Sequence, residues 1–196
     1  DEMINTSTSG VQPYSLSIGN NAFENDEKLT SINLTENVTS IGDYAFAGCT
    51  EMNSLTLPES LTRMGYYVIK GTKISSITIP RNVENSNTDS YGYPNGAMAG
   101  ALKLNTVILE KGMTKIPGYI CASSNYTSYI TKVVIPDTVE SIGDYSFYKC
   151  ESLSTVSIPK RVASIGRSAF AGCSNLETAE LHYNDEMINT STSGVQ

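Results

Sequence analysis

The chain has 196 residues, enough for one domain with a sizeable core, and carries 13 Lys and Arg against 20 Asp and Glu, a formal charge of −7. That balance speaks against a nucleic-acid groove, which wants a basic face, and against docking on anionic lipid. No apolar run approaches the roughly 18 residues a membrane span needs. The opening residues are polar and show no signal-peptide pattern, which leaves a processed precursor open. Abundant Ser, Thr, Asn and Tyr, with Trp absent, suit an extracellular or cell-surface setting.

In chain order, the first element is a turn block, SIGNNAFEND at 17–26, followed by a short strand block, LTSINL at 29–34. The strand block recurs at Met52/Leu55/Leu57, Ile74/Ile77/Ile79, Leu104/Val107/Leu109, Ile130/Val133/Ile135, Leu153/Val156/Ile158 and Leu176/Ala179/Leu181, with starts 23, 22, 30, 26, 23 and 23 residues apart. The turn block returns as SIGDYAFAGC at 40–49, SIGDYSFYKC at 141–150 and SIGRSAFAGC at 164–173. A repeat of this length is a solenoid signature. Alternate side chains of each strand point inward, and Pro58, Pro80, Pro136 and Pro159 stop the strands. Gly19, Gly42, Gly65, Gly143 and Gly166 mark where the chain is expected to turn back. Phe23, Phe46, Phe147 and Phe170 are all the Phe in the chain, and each occupies the Ala-Phe or Ser-Phe position, dropping a ring into the interior. One coil cannot bury its apolar face alone; stacked coils can, with strands pairing in parallel at about 4.8 Å per coil.

The unit LxxIxIPxxVxxIGxxAFxGCxx, carried nearly letter for letter by VVIPDTVESIGDYSFYKCESL and VSIPKRVASIGRSAFAGCSNL, resembles the BspA-like leucine-rich repeat. The resemblance covers nearly the whole chain. It implies a single leucine-rich-repeat solenoid over 1–196 of about seven coils, with a parallel β-sheet on one face and turns and short helical or 3₁₀ segments on the other. It also implies a surface protein of adhesive or scaffolding type, not an enzyme, with no fixed site residues and no cofactor.

Two departures interrupt the repeat. Val83 to Met98 spans 15 residues where Val38 to Phe46 spans 8, an insertion around NSNTDSYGYPNG. Cys121 to Ile130 spans 9 where Phe46 to Met52 spans 6, an insertion around SSNYTSY in the neighbouring coil. Tyr91, Tyr93, Tyr119, Tyr126 and Tyr129 cluster in these two coils and form the candidate ligand-binding set, because Tyr offers contact area and a hydroxyl handle at little entropy cost. The alternative is that the rings fold back and cover the enlarged coil. On the outward strand face, the rows Ser31, Ser54, Ser76, Thr106, Lys132, Thr155, Thr178 and Asn33, Thr56, Thr78, Ile108, Val134, Ser157, Glu180 are mostly small and polar. Ile108 and Val134 break the second row side by side, either as an apolar footing for a partner or as cross-strand filler.

Other chemistry is sparse. His182 is the one His, and it reads as a polar rim residue. Cys49, Cys121, Cys150 and Cys173 have no CxxC spacing and read as buried thiols, with Cys121 in place of a core Phe. Cys150 and Cys173 lie one coil apart, within disulfide range but with parallel side chains. Asp43, Asp144, Glu51 and Glu151 read as solvated turn residues, and no metal site is indicated. Asn5, Asn33, Asn37, Asn125 and Asn189 lie in N-x-S/T sequons, which matter only in a eukaryotic secretory host.

Residues 1–12 and 185–196 are identical, DEMINTSTSGVQ, a shift of 184 residues. The last strand block and the first turn block together complete one coil. The expectation is a 184-residue super-period in a longer array or filament, copies continuing end to end covalently or by stacking; a cloning artefact at one end is the alternative. Adhesion to a host protein or glycan through the Tyr-rich loops is the second functional expectation.

Overall fold

The computed structural model describes residues 14–86 and 92–182, which wind into a β-solenoid of about seven turns. The identical end segments and Tyr91 lie outside the described residues. Full coils begin at Leu29, Met52, Ile74, Leu104, Ile130 and Leu153, with a half coil before and another after. One side is built from the strand blocks: β4 (Ser76–Ile79), β6 (Thr106–Leu109) and β8 (Lys132–Val134) form one parallel sheet, and β10 (Thr155–Ile158) and β12 (Thr178–Leu181) another. The expected outward rows are in register: Thr78 pairs Ile108, Ile108 pairs Val134, and Ser157 pairs Glu180.

A second side comes from the start of each turn block. Here β1 (Leu16–Ile18), β2 (Val38–Ile41), β3 (Arg63–Met64) and β5 (Asn85–Ser86) pair in order, and β7 (Lys115–Ile116), β9 (Ser141–Ile142) and β11 (Ser164–Ile165) form a separate sheet. Between the two sides each proline closes a tight turn, its carbonyl accepting from Leu61, Val83, Val139 or Val162 three residues on. Proline both ends the strand and presets the turn.

The third side departs from the expected helical segments: no α or 3₁₀ helix occurs among the described residues. The residue before the Ala-Phe position is left-handed in nearly every coil: Asn21, Tyr44, Tyr67, Tyr119, Tyr145 and Ser168 have φ between 53° and 63°. A left-handed residue breaks a right-handed helix before it starts. The backbone donors go instead to the next coil. Tyr44, Phe46 and Gly48 N–H donate to Tyr66, Val68 and Lys70 carbonyls, and Tyr145, Phe147 and Lys149 repeat the pattern on Arg167, Ala169 and Ala171. Alternate residues thus form an inter-coil ladder, which satisfies the groups a helix would have satisfied internally.

The glycines of the SIG motif also differ from expectation. Gly42, Gly65, Gly143 and Gly166 do not have positive φ. They are close-approach residues: a Cβ on Gly42 would lie 2.6 Å from Asn20 N, and one on Gly65 2.5 Å from Asp43 N, so the preceding coil excludes it.

The core runs the length of the solenoid. Phe46 and Phe147 are fully buried, and Phe23 stacks on Phe46 at 5.4 Å and Phe147 on Phe170 at 5.1 Å between centroids. In the three middle coils Ile69, Met98 and Cys121 take the same place and are equally buried. Each repeat Cys supplies a weak donor to the coil before it: Cys49 Sγ to the Phe23 carbonyl (3.1 Å), Cys150 to Cys121 (3.5 Å) and Cys173 to Phe147 (3.2 Å).

Candidate functional site

The left-handed position decides where the tyrosines go. At that φ the side chain leaves the ladder outward, so successive coils stack their Tyr rings along the third side. Tyr44, Tyr66 and Tyr67 form one cluster, with centroids 5.0–5.4 Å apart. Tyr119 stacks on Tyr145 at 5.2 Å, and Tyr145 meets Tyr148 edge-on at 5.4 Å. Cations lie on both clusters: Lys70 Nζ is 5.5 Å from the Tyr67 centroid and 5.7 Å from Tyr44, and the Arg167 guanidinium is 5.2 Å from Tyr145.

The two insertions meet. Asn95 and Ser123 form an antiparallel bridge, Ser124 N–H donates to the Pro94 carbonyl (3.3 Å), and Asn125 N–H donates to Asn95 Oδ1 (3.2 Å). From this tie Tyr126 reaches back over the third coil to the second, packing edge-on against Tyr67 at 5.5 Å with Lys70 Nζ 4.8 Å from its own centroid. The third coil makes room with GAMAGA: a Cβ on Gly100 would lie 2.9 Å from Lys70 Cγ and 3.4 Å from the Tyr126 ring. The turn from Asn95 to Ala101 is buried as a result.

The sequence-predicted site residues therefore do not form one patch. Tyr126 joins the Tyr44/Tyr66/Tyr67 cluster, and Tyr119 joins the Tyr145/Tyr148 cluster. Tyr93 and Tyr129 are exposed on the insertions. Ile108 and Val134 are paired neighbours on the strand side, Ile108 half-buried and Val134 exposed. Tyr44, Tyr66, Tyr67, Tyr145 and Tyr148 escaped sequence reasoning; the signal that marks three of them is the Tyr directly before the Ala-Phe position.

The remaining candidates have structural partners. Asp43 Oδ1 accepts from Tyr66 N (3.1 Å) and Asp144 Oδ1 from Arg167 N (2.8 Å), so these carboxylates are rungs between coils. All four Cys are free thiols. Burial pushes the Cys121 thiol up to about 12 and raises the other three, which suppresses thiolate chemistry. Ser157 Oγ lies 2.7 Å from His182 Nε2, but the Glu180 carboxylate approaches that same nitrogen at 3.9 Å, whereas a nucleophile–base relay needs the acid on the opposite one. No group of His, Cys, Asp and Glu among the described residues is arranged to hold a metal ion. No helix of the described chain is long and apolar enough to cross a membrane.

A family profile described as the BspA type leucine rich repeat region matches in six copies over residues 16–129 and 120–192. The chain belongs to that family. A leucine-rich repeat protein of T. pallidum, TpLRR, has a solved structure that matches with a TM-score of 0.60 and 22% identity, over 82% of this chain and 71% of its own. One from Bacteroides ovatus is 26% identical with a TM-score of 0.45, over 83% of this chain and 51% of its own. The pneumococcal vaccine antigen PcpA matches at 16% identity and a TM-score of 0.41, over 86% of this chain and 54% of its own. The TpLRR likeness bears on the fold alone. The chain spans only part of each of these proteins. No curated protein matches. As a BspA-type repeat, the chain is a stack of near-equivalent coils that departs from the repeat in the two insertions and in the replacement of Phe by Ile69, Met98 and Cys121.

Proposed function

We propose that the chain is a non-catalytic structural module of an extracellular or cell-surface repeat array, one copy continuing into the next end to end. The observation that carries this reading is the repeat of one 12-residue segment, at 1–12 and again at 185–196, which sets a period of 184 residues. Across that period the strand block at 176–181 and the turn block at 16–23 supply the two halves of one coil, as the strand and turn blocks do in every inner coil. Family membership and the unsuitable geometry at His182 support a non-catalytic role.

The second reading, adhesion to a host protein or glycan, draws on Tyr93, Tyr126 and Tyr129, which are exposed on insertions braced against each other. Loops held on a rigid scaffold are common binding elements. Negative-stain microscopy of native material, with its mass by denaturing gel, separates the two. Filaments of 21.1 kDa chains mean non-covalent stacking, and filaments of a much larger chain mean a tandem array. Short single solenoids at every concentration contradict the array and direct attention to the tyrosines.

A further inference from the structure

We propose that the corner where the third side passes into the strand side, around Lys103 and Tyr129, binds an acidic polysaccharide, a sugar chain bearing carboxylates or sulfates. Lys103 and Lys132 meet its anions, and Tyr126 and Tyr129 its rings. The proposal rests on the adhesion reading and names the chemistry of the partner.

Exposed apolar surface is gathered there. Away from the two ends of the described chain, the large apolar side chains left exposed are Tyr93, Leu102, Tyr126, Tyr129 and Val134, all between 93 and 134. Leu102 is 55% exposed and Tyr129 47%. Other coils put polar residues at these positions: Thr50 and Glu151 in place of Leu102, and Glu51, Lys73 and Ser152 in place of Tyr129. Large apolar groups kept in water where the repeat is otherwise polar point to a partner. The residues are also neighbours. Lys103 and Tyr129 each precede the buried first residue of a coil, Leu104 and Ile130, which places them side by side at the inter-strand spacing of about 4.8 Å. Just beyond, Lys132 pairs with Thr106. Tyr126 adjoins from the third side: its ring lies 3.4 Å from where a Gly100 Cβ would stand, two residues before Leu102.

Charge reverses in the same stretch. Residues 92–136 hold Lys103, Lys111, Lys115 and Lys132 against Glu110 alone. By contrast, 14–86 hold five Lys and Arg against eight Asp and Glu, and 137–182 hold four against six. Glu110 is itself engaged by the Arg81 guanidinium at 3.5 Å. Lys73, on the coil before Lys103, is neutralised by Glu51 at 2.8 Å. Lys103 and Lys132 form no ion pair among the described residues. The nearest carboxylate in register at this corner is Glu151, one coil past Tyr129 on the side away from Lys103. An anionic partner is therefore drawn to this corner, while the acidic chain on either side repels it.

The mixture of groups selects a sugar chain as the occupant. The core of a protein interface gains from Tyr but is depleted of Lys, and here the two intermingle. A polysaccharide uses both. Its anions pair with the ammonium groups, and the polarised C–H bonds on a sugar face lie against the negative face of a tyrosine ring. Tyr126, Tyr129 and Lys132 follow one another across the corner at intervals of three residues, a strip that a linear chain can track.

The test titrates fluorescein-labelled oligosaccharides of heparin and of polygalacturonate with the full chain and reads anisotropy, beside labelled dextran and poly-glutamate. We expect the native chain to bind both acidic oligosaccharides and to ignore dextran. Affinity should fall as salt rises from about 0.1 M to about 1 M, where the screening length shrinks from about 10 Å to about 3 Å. Tyr129→Ser, which changes no charge, and Lys103→Gln with Lys132→Gln are each expected to weaken binding by about tenfold or more at an unchanged melting temperature. Lys111→Gln with Lys115→Gln removes the same charge away from this corner and is expected to bind as the native chain does. Equal losses in the two lysine pairs, or native binding by Tyr129→Ser, would overturn the site. Poly-glutamate bound as tightly as the oligosaccharides would overturn the sugar in favour of an acidic protein. Labelled chain is applied in parallel to cultured epithelial cells. Cell binding by a chain that binds no oligosaccharide overturns the sugar and leaves adhesion standing; binding to neither overturns both.

Discussion

In the outer coils, Phe23 stacks on Phe46 and Phe147 on Phe170, and half-buried tyrosines, Tyr44 on one side and Tyr145 and Tyr148 on the other, lie outside the stack. In the middle coils, Ile69, Met98 and Cys121 fill the same place, while Lys70, Tyr67 and Tyr126 cover the third coil from outside. The strand ladder that runs unbroken from β1 to β5 also parts between β5 and β7, at the first insertion. The outer coils have rings both inside the stack and outside it, whereas the middle has rings only on the outside. A repeat can thus thin its interior when a neighbouring loop restores the cover, and the second insertion is where that cover originates.

The contrast can be broken most strongly from within. Phe147→Ala removes a fully buried ring and is expected to cost about 4 kcal/mol in urea unfolding, against about 3 kcal/mol for Met98→Ala in the thinner middle. Equal losses would mean that the ring stack adds nothing specific. Next comes the inter-coil approach: Gly143→Ala forces a Cβ against Gly118 N and is expected to cost about 2–3 kcal/mol, measured by thermal melts. A neutral outcome would show that the coils separate easily.

Two smaller effects are specific to the middle coils. Cys121 binds its proton more tightly folded than unfolded, because burial disfavours the thiolate. Its contribution is constant below about pH 9 and is lost as pH rises from 9 toward 12. Between pH 8 and 10 the native chain is expected to lose about 1 kcal/mol more stability than Cys121→Ala, read from urea midpoints at both pH values. A parallel response of the two proteins would contradict the assignment. Tyr126→Ala is expected to cost about 1 kcal/mol or less and to speed amide exchange over Ala97–Ala101 but not over the equivalent turn at 146–150.

Much of this fold is legible in one sequence because a short strand with inward alternation, a proline stop and a Phe two residues past a turn each leave a local mark. Strand register follows directly, since equal repeat lengths align equal positions, as Thr78, Ile108 and Val134 do. What escaped lies between coils. Reading Gly42 as a turn residue was natural, but the cause is Asn20 of the coil before, 22 positions away. Asp43 looks solvated until its partner, Tyr66 N–H, is placed beside it. The expected helices gave way to an inter-coil ladder because Tyr, Asn and Ser take the left-handed position there, a conformation their identities alone do not announce. Tyr126 was singled out as a binding candidate by composition; its contact with Tyr67 depends on a loop crossing a whole coil, which spacing does not encode.

The measurement that tests the array reading most directly is negative-stain microscopy of native material across a wide range of concentration, with its mass by denaturing gel. Filaments are the expected result. Short single solenoids at every concentration would contradict it.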